Sequence, residues 1–525
     1  MNIAIIGAGP SGICAGKELL QGNPDAIITI FEAESTLGGT FSRSYDNLTL
    51  VNNPMMINFS DFTADETLPD LKMWTAKEYT QYLKRYVKIN NLEKLIHFNS
   101  RVIKASLTDN RWHLIVNYNG TKSHLEFDYL VVCAGSNTLP AFPQFSGQEK
   151  FKGDLVHSSS IKKPEEFKGR NVLFIGLGET GSDLSELISE YALGANLSIR
   201  RWPGYLIPRY HDGKPTDLDT SKLYHSLPSR IDSSRLACLL RLKRKLEKGR
   251  LKNPTDRKIQ CRADKLNSQF KEIRALGPFR RASTKNCSFI HAELNGKVIL
   301  RPAVTRLDED KAYFTDGSSC KVDTVIACTG YRQSFPFFDE ALQDELVSSN
   351  SLYNYMFPPT LASKVAFIGY VRPAIGTVPV LAEMQSRLLA MVLNRQLSLP
   401  PLDKMHSAIA IQQKTAREQF PVDFERLGHL VDYYGLLKSL ADQIGVIPNQ
   451  RILLLKAPKV WWKVNFSFLS PAMFRLHGPG NTYHQSCKTI KKLPTMPLYV
   501  LAIEGITWLI CVGLTALGLS NFRKR

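Results

Sequence analysis

A six-residue glycine pattern occurs twice in this 525-residue chain, each time between an apolar run and a helix-like segment. Residues 7–12 have the sequence GAGPSG and follow NIAII, and residues 176–181 have the sequence GLGETG and follow NVLFI. Glycines at this spacing let backbone N–H groups approach a pyrophosphate at the positive end of a helix. Two such turns, each between strand and helix, predict two dinucleotide-binding units of the α/β class.

The residue after the next strand distinguishes the two predicted nucleotide sites. After the first turn, the apolar run 26–31 ends at Glu32, whose carboxylate can accept hydrogen bonds from ribose hydroxyls, as in FAD or NAD. After the second turn, the run 196–199 ends at Arg200 and Arg201. Their guanidinium groups can bind a 2′-phosphate, which points to NADP. The chain is therefore predicted to be an oxidoreductase that passes hydride from NADPH to FAD.

Both predicted units close in the same way. A hairpin with a turn at Gly120 or Gly317 leads into an apolar strand that ends in a small residue and Gly135 or Gly330. The predicted fold is two Rossmann-like domains, with the NADPH domain nested in the FAD domain, plus a C-terminal transmembrane helix. The predicted segments are an FAD-binding first part at 1–165, an NADPH-binding domain at 166–330, a return of the FAD domain with a C-terminal cover at 331–495, and a tail anchor at 496–525.

Charge and cysteine content restrict the class of partner. The net charge is +19, and residues 230–285 carry 18 Lys or Arg against 5 Asp or Glu. Such a block attracts nucleic acid or an anionic membrane. No aromatic residue interrupts its densest run, 241–245, and no zinc-finger or RNA-recognition motif occurs, so we expect no nucleic-acid partner. The nine cysteines are dispersed without a C-x-x-C pair, which predicts a reducing compartment and no metal site.

The apolar stretch 497–520 predicts a membrane anchor. About 20 apolar residues are enough to span the roughly 30 Å hydrocarbon core of a bilayer. Only Glu504 interrupts the stretch, and basic residues flank both ends, so the positive-inside rule sets no orientation. We expect a single-pass tail anchor with the catalytic body in the cytosol, with the endoplasmic reticulum favoured over a bacterial inner membrane. The alternative is a buried terminal helix.

Several further motifs occur along the chain: LGGTF at 37–41, FSDF at 59–62, CTGY at 328–331 and G-x-x-P-x-x-x-E-x-Q-x-R at 376–387, where a helix is expected to begin near Thr377. Residues 151–161 have the form F-x-G-x-x-x-H-x-x-x-I. Together these motifs resemble those of flavin-containing monooxygenases of the NADPH-dependent, dimethylaniline N-oxide-forming type, over nearly the whole chain. The family pattern has Phe or Tyr at the position of Ile161, and related Baeyer–Villiger enzymes have Trp there.

The resemblance implies a set of site residues. The implied FAD contacts are Gly7, Gly9, Ser11, Gly12, Glu32, Gly39, Thr40 and Phe41. The implied NADPH contacts are Gly176, Gly178, Thr180, Gly181, Ser182, Asp183, Arg200 and Arg201, and further cofactor contacts are expected at Gly330 and Gly376. The catalytic amide is Asn52 or Asn53, both of which precede the FSDF motif. His157 is open to two interpretations, a catalytic base or, preferably, a structural residue at the domain junction.

The resemblance also implies the chemistry. NADPH reduces FAD, O2 adds to flavin C4a, and a soft nucleophile, the nitrogen of an amine or the sulfur of a sulfide, attacks the distal oxygen of the hydroperoxide. The protein excludes water and retains NADP⁺. The expected substrate is small and lipophilic. The alternatives are a Baeyer–Villiger or N-hydroxylating enzyme, an uncoupled NADPH oxidase that releases peroxide, and a basic membrane- or nucleic-acid-binding scaffold with a degenerate flavin fold.

Overall fold

The computed structural model of this chain contains two parallel β-sheets of five strands each, which confirms the predicted α/β class. Two three-stranded antiparallel sheets are also present, and each contains one of the predicted hairpins together with a third strand. The structure describes residues 1–63, 71–202, 204–219, 221–228, 236–269, 280, 282–340, 342–343, 351–424, 427 and 429–518.

The first parallel sheet is centred on Asn2–Ile6, the strand that leads into the first glycine turn. Most residues of its strands are apolar because both faces of a parallel sheet are covered. The helices Pro10–Gly22 and Val378–Leu393 pack against each other beside it. The edge strand comes from the downstream part of the chain, which returns here after the second unit. The strand order is Val365–Phe367, Tyr129–Val132, Asn2–Ile6, Ile27–Phe31 and Ile96–His97.

The second parallel sheet is centred on Asn171–Ile175 and repeats this plan. Its edge strand Asp154–His157 lies before residue 166 in the chain, yet it pairs with Thr324–Ala327. The division into four segments stays a prediction. The strand order is Val298–Arg301, Gly194–Ser198, Asn171–Ile175, Thr324–Ala327 and Asp154–His157.

The antiparallel sheets confirm both predicted hairpins. Asn119 and Gly120 have φ angles of 47° and 93°, so both central residues of the first turn lie in the left-handed region that a two-residue hairpin turn uses. Tyr118 consequently pairs with Thr121. The strands are Ser100–Thr108, Arg111–Tyr118 and Thr121–Phe127 in the first sheet and Val304–Asp308, Lys311–Phe314 and Ser319–Lys321 in the second.

Helices surround the sheets and continue to the C-terminus. The helix Ala76–Ile89 begins at a capping box, in which the Thr75 and Glu78 side chains each bond the other residue's backbone N–H. The described residues of 400–495 are largely helical and pack on the first unit. The other helices are Pro54–Ile57, Glu179–Ser189, Lys222–His225, Ala237–Gly249, Pro254–Gln269, Ser288–Leu294, Leu402–Gln419, Tyr433–Ile444, Gln450–Lys456, Pro458–Phe466, Tyr483–Lys491 and Leu498–Ala516.

The helix Leu498–Ala516 is the one helix in the described ranges that is long and apolar enough to cross a membrane. It has 19 residues and a mean hydropathy of 1.9 over its most apolar window, 22% of which is buried. One side of it packs against Ala237–Gly249 and Lys222–His225. The predicted basic flank at 523–525 lies outside the described residues.

Candidate active site

The first glycine turn has no room for side chains. Gly7 has a φ of 103°, and a Cβ on it would lie 2.6 Å from the Cys133 carbonyl oxygen. A Cβ on Gly12 would overlap the carbonyl oxygen of Gly7. Gly39, from the LGGTF motif, approaches the turn so closely that its Cβ would lie 3.2 Å from Gly9 Cα. Two backbone segments therefore line one cradle, which fits a pyrophosphate.

Glu32 lies at the end of the adjacent strand and is held there by the backbone. Its Oε2 accepts the Ala8 N–H at 2.8 Å, and its Oε1 accepts the Glu34 N–H at 2.9 Å. An ionised carboxylate has about four lone-pair positions, so two remain for ribose hydroxyls. This arrangement fits the predicted role of Glu32 in FAD binding.

The remaining predicted FAD residues surround this cradle. A Cβ on Gly369 would collide with Ser11 Oγ, which places the returning strand directly against the first glycine turn. Gly376 has a φ of 135° and lies against the Tyr433 ring. The Phe41 ring packs edge-on against Tyr79, with the ring centroids 4.8 Å apart, whereas Thr40 is exposed. The helix Val378–Leu393 begins after Thr377, as predicted, so its N-terminus lies on the FAD side.

The two candidate catalytic amides differ in burial. Asn53 is 0% exposed, and its Oδ1 accepts the Met55 N–H at 2.9 Å. Its own N–H donates to Asp217 Oδ2 at 2.7 Å. Asn53 Nδ2 is buried and has no hydrogen-bond partner among the described residues. Asn52 is half-buried. Since buried donors in proteins are almost always paired, Asn53 Nδ2 fits a site for a bound ligand.

Asn58 is a polar residue that the sequence analysis missed. It is buried at the C-terminal end of the helix Pro54–Ile57, and neither its Nδ2 nor its Oδ1 has a partner in the described part of the chain. Thr377 Oγ1 donates to the Met56 carbonyl oxygen at 2.8 Å, which joins this helix to the FAD side. The sequence signal was only its position beside the FSDF motif.

The second glycine turn has the same geometry as the first. Gly176 has a φ of 99°, and a Cβ on Gly181 would overlap the Gly176 carbonyl oxygen. A Cβ on Gly178 would meet nothing within 4 Å, so the space above this residue is open to a ligand. Thr180 is half-buried beside it. Arg200 and Arg201 are exposed just beyond the strand Gly194–Ser198, at the edge of the sheet where nucleotides bind.

Ser182 and Asp183 point into the protein. Ser182 Oγ lies 3.0 Å from Asn286 Oδ1. The Asp183 carboxylate accepts hydrogen bonds from Tyr45, Arg209 and Asn286. Both residues are buried, and their contact with NADPH stays a prediction.

Glu179, inside the second glycine turn, has an altered acidity. Its Oε1 accepts the Lys285 N–H at 2.7 Å, while Oε2 is buried without a partner among the described residues. Burial raises the pKa of Glu179 to about 7, against the smaller opposing effect of the Arg209 charge. The sequence analysis did not single out this carboxylate.

His157 joins two of the family motifs. Its Nδ1 accepts the Ser159 N–H at 3.2 Å, so Nε2 carries the proton and donates to the Gly330 carbonyl oxygen at 3.0 Å. Burial lowers the pKa of His157, which keeps the ring neutral. These contacts favour the structural interpretation of His157. Ile161 is buried in the apolar core of the second unit, at the end of the same motif.

Two other motifs meet in a buried ionic cluster. We use this name for six charged side chains, three of each sign, together with Ser60: Lys17, Glu18, Asp61, Glu383, Arg387 and Arg475. Arg475 donates to Glu383 Oε1 at 2.7 Å and to Ser60 Oγ at 2.6 Å, and it also pairs with Glu18. Although burial raises it, the charges of Arg475 and Lys17 lower the pKa of Glu18 to about 2. FSDF and E-x-Q-x-R therefore form a structural joint here.

Side chains that could bind a metal ion do not cluster in the described ranges. In the part of the chain that the structure describes, no group of three or more His, Cys, Asp or Glu side chains is placed to hold a metal ion. The nine cysteines are all free, and burial raises the pKa of four of them well above the ordinary value: Cys14, Cys133, Cys287 and Cys328.

Comparison with known proteins identifies the family of this chain. Residues 1–491 match the family model described as Flavin-binding monooxygenase-like. The chain is 33% identical over 486 residues to a 4-hydroxybenzoate brominase (decarboxylating) from Marinomonas mediterranea, with 91% of this chain and 90% of that protein covered. It is 30% identical over 505 residues to flavin-containing monooxygenase 5 from Homo sapiens, with 91% and 89% covered.

Solved structures show the same fold. S-allyl-L-cysteine S-oxygenase from Allium sativum is similar with a TM-score of 0.60 and 21% identity, over 94% of this chain and 98% of that chain. Cyclohexanone monooxygenase is similar with a TM-score of 0.61 and 14% identity, over 84% and 97%. Glycine cradles at both sheets, with Glu32 beside the first, fit the two nucleotides that such enzymes bind. This chain belongs to the Flavin-binding monooxygenase-like family and is a flavin-containing monooxygenase that uses FAD and NADPH.

Proposed function

We propose that this enzyme transfers one oxygen atom from O2 to a soft nucleophile, the nitrogen of a small lipophilic amine or the sulfur of a sulfide. The observation that carries the proposal is the unpartnered, buried Nδ2 of Asn53. Asn53 is linked to the NADPH side through Asp217, and the helix that it caps is linked to the FAD side through Thr377. A fixed amide donor therefore lies between the two nucleotide units.

The side chains around this amide have separate tasks. Bound FAD supplies the redox chemistry, because it takes hydride from NADPH and activates O2. Asn53 Nδ2 donates a hydrogen bond to an acceptor on the cofactor or substrate, with Asn52 as the neighbouring candidate. The N-terminus of Val378–Leu393 stabilises negative charge near the flavin through its dipole. Met55 and Met56 are buried beside Asn53 and keep water away.

The nucleotide assignments rest on the glycine turns. Gly7, Gly9, Gly12 and Gly39 cradle the FAD pyrophosphate, and Gly176, Gly178 and Gly181 cradle that of NADPH. Arg200 and Arg201 bind the 2′-phosphate of NADPH. Ser11, Glu32, Thr40, Phe41, Thr180, Gly330 and Gly376 complete the proposed cofactor contacts.

A halide ion is a second candidate substrate. The observation that favours it is the likeness to two brominases, at 33% identity for the Marinomonas mediterranea protein and 31% for that of Pseudoalteromonas luteoviolacea. Bromide is also a soft nucleophile, so the same oxygen transfer would convert Br⁻ to hypobromite. A phenol bound nearby would then be brominated.

Product analysis under ¹⁸O2 tests these proposals. The purified holoenzyme is incubated with NADPH and, separately, a tertiary amine, a sulfide, a cyclic ketone, and 4-hydroxybenzoate with bromide. We expect an N-oxide or sulfoxide that carries one ¹⁸O, with one NADPH consumed per product. An ester from the ketone would support the Baeyer–Villiger alternative, and a brominated phenol would support the halide. NADPH consumption that yields only peroxide in every arm would contradict oxygen transfer.

We also propose that the helix Leu498–Ala516 attaches the protein to a membrane, with the catalytic body in the cytosol and the endoplasmic reticulum as the favoured membrane. Its outward side is apolar and exposed at Leu498, Ile506, Leu509, Ile510 and Leu517. Its inward side carries Glu504, which is fully buried and accepts a hydrogen bond from Lys243 Nζ at 2.7 Å. Neutralisation of Glu504 by the body removes the only acidic charge of the helix from any lipid contact. Release of the protein by an alkaline carbonate wash would contradict membrane attachment through this helix.

A further inference from the structure

Three side chains of the second unit, Asp183, Arg209 and Asp217, bond the segment that carries Asn52 and Asn53, and the Asp46 N–H of this segment also donates to the Lys162 carbonyl oxygen at 2.8 Å. We call residues 45–53 the active-site loop. Tyr45 Oη donates to Asp183 Oδ2 at 2.9 Å, and the Thr49 carbonyl oxygen accepts from Arg209 Nη2 at 2.9 Å. The Asn53 N–H donates to Asp217 Oδ2. The first two of these links depend on one carboxylate, because Arg209 is itself bound to Asp183.

The Asp183 carboxylate is saturated by protein donors. Oδ1 accepts from Arg209 Nη1 at 2.8 Å and from Asn286 Nδ2 at 2.7 Å. Oδ2 accepts from Arg209 Nη2 at 2.9 Å and from Tyr45 Oη. Four hydrogen bonds fill about all the lone-pair positions of a carboxylate. Asp183 is 7% exposed, so it has neither a free lone pair nor a surface for a nucleotide.

Asp183 also lies close to the proposed NADPH site. It lies one helical turn from Glu179, the first residue of the helix Glu179–Ser189 that the second glycine turn opens. A packed helix moves as a rigid body, so the position of this turn and the position of the active-site loop are fixed to each other through Asp183.

We propose that Asp183 is a positioning residue, which holds the active-site loop against the helix Glu179–Ser189 through Tyr45 and Arg209. In this way it also positions Asn52 and Asn53. The inference rests on the proposed role of these amides in oxygen transfer. For Asp183 it is an alternative to the predicted contact with NADPH. Backbone hydrogen bonds from the Leu50 N–H to Trp74 and from the Ala76 N–H to Leu48 would still hold part of the loop. Loss of the carboxylate would loosen its Tyr45 and Thr49 contacts and shift the amides, while the glycine cradle and Arg200 stay unchanged.

The test separates the KM for NADPH from the yield of product per NADPH. In the holoenzyme, Asp183→Asn keeps the shape of the side chain and removes its charge, and Tyr45→Phe removes only the hydroxyl. We expect the KM for NADPH to change by less than about threefold and product per NADPH to fall by about tenfold in Asp183→Asn, since small misplacements at a reacting centre have effects of this size or larger. Tyr45→Phe should shift the same ratio in the same direction.

Asp323→Asn is the matched control. Asp323 accepts hydrogen bonds from Asn171 at the opposite end of the second sheet, so its loss should leave both quantities unchanged. Hydrogen–deuterium exchange over residues 45–53 gives a readout independent of turnover, with faster exchange expected in Asp183→Asn and Tyr45→Phe only. Unchanged exchange, or a tenfold rise in KM for NADPH with product yield intact, would overturn the inference. If Asp183→Asn does not fold, Tyr45→Phe decides by the same criteria. If the wild-type enzyme makes no product, the proposed function fails, whereas the exchange measurement still decides the role of Asp183.

Discussion

At the residue scale, Gly12 and Gly181 differ from the glycines of an ordinary turn, because neither position has room for a side chain. The Cβ that a substitution adds to Gly12 or Gly181 would overlap the carbonyl oxygen of the glycine that opens the same turn. At Gly178 the added Cβ would enter the open space that we propose for a pyrophosphate. A substitution at Gly12 or Gly181 therefore tests the backbone contact inside a turn, whereas a substitution at Gly178 tests the open space proposed for the ligand.

Gly12→Val tests the first cradle. The added side chain would push the helix Pro10–Gly22 away from the first turn, so we expect purified protein without bound FAD. The ratio of flavin absorbance to protein absorbance measures this directly. Gly249→Ala places a Cβ in open space and should retain the flavin. A yellow Gly12→Val protein would contradict the assignment.

The pair Arg200 and Arg201 tests nucleotide choice. Charge-assisted hydrogen bonds contribute about 1.5–3 kcal/mol each, so replacement of both by Ala should raise the KM for NADPH tenfold or more. The KM for NADH should change little, because NADH has no 2′-phosphate. Steady-state kinetics with both nucleotides gives the answer, and an equal rise for both would count against 2′-phosphate binding.

Glu179 predicts a pH dependence of stability. Folding raises the pKa of this carboxyl from its ordinary 4.5 to about 7, so the folded state binds the proton more tightly than the unfolded chain. Its contribution to the free energy of unfolding is therefore present below pH 4.5 and is lost as the pH rises to about 7. Glu179→Gln should be more stable than wild type by about 1–3 kcal/mol at pH 8 and not at pH 4.5.

Urea unfolding at both pH values measures this difference. Glu190→Gln, at the exposed end of the same helix, is the control and should leave stability nearly unchanged. A difference between Glu179→Gln and wild type that does not vary with pH would contradict the raised pKa.

At the scale of elements, the buried ionic cluster joins four segments that also share one apolar core. It connects the helix Pro10–Gly22, the FSDF segment, the helix Val378–Leu393 and Arg475 from the C-terminal region. Its charges balance, three against three. Burial together with the neighbouring Arg475 lowers the pKa of Arg387 to about 10.

Arg475→Met should be strongly destabilising, because it leaves Glu18 and Glu383 buried with one cation fewer. Removal of one partner of a buried ion pair typically costs about 3–5 kcal/mol. Denaturant unfolding of the holoenzyme measures the loss. Arg306→Ala, which removes an exposed ion pair with Asp308, should cost less than about 1 kcal/mol. Equal effects of the two substitutions would show that the cluster adds no more stability than a surface pair.

At the scale of the whole molecule, the C-terminal helix is docked rather than free. The residues on its inward side are spaced three or four apart and are buried: Val500, Glu504, Thr507 and Cys511. The pKa of Lys243 is raised above its ordinary range, against the effect of burial, by the Glu504 and Glu247 charges. The same basic segment that suggested an anionic partner therefore supplies the counter-ion for this helix.

Glu504→Ala tests the docking. It leaves Lys243 buried without its closest anion, so we expect Leu498–Ala516 to detach and become sensitive to limited proteolysis in detergent solution. Leu509→Ala, on the exposed side, should leave protease resistance unchanged. Equal resistance of wild type and Glu504→Ala would show that the ion pair does not hold the helix.

Local pattern was sufficient for much of the fold. Asn2–Ile6 and Asn171–Ile175 occur at the predicted residues, and the helix near Thr377 begins where expected, because strand, glycine turn and helix are encoded within a short stretch of chain. Glu32 was predictable for the same reason, because it follows the strand that comes after the first glycine turn. The roles of these residues at the cofactors stay predictions.

Sequence order encodes the glycine turn of each nucleotide cradle, since Gly7 and Gly12, or Gly176 and Gly181, meet within a few residues and require glycine. Spatial proximity of distant residues created the rest. Glu18 meets Arg475 across 457 positions, and Tyr45 meets Asp183 across 138. Glu504, which the sequence presented as an interruption of an apolar stretch, gains its partner Lys243 from 261 positions away. Periodicity and motifs do not reveal such pairs, because residues far apart in the sequence become neighbours only when the chain has packed.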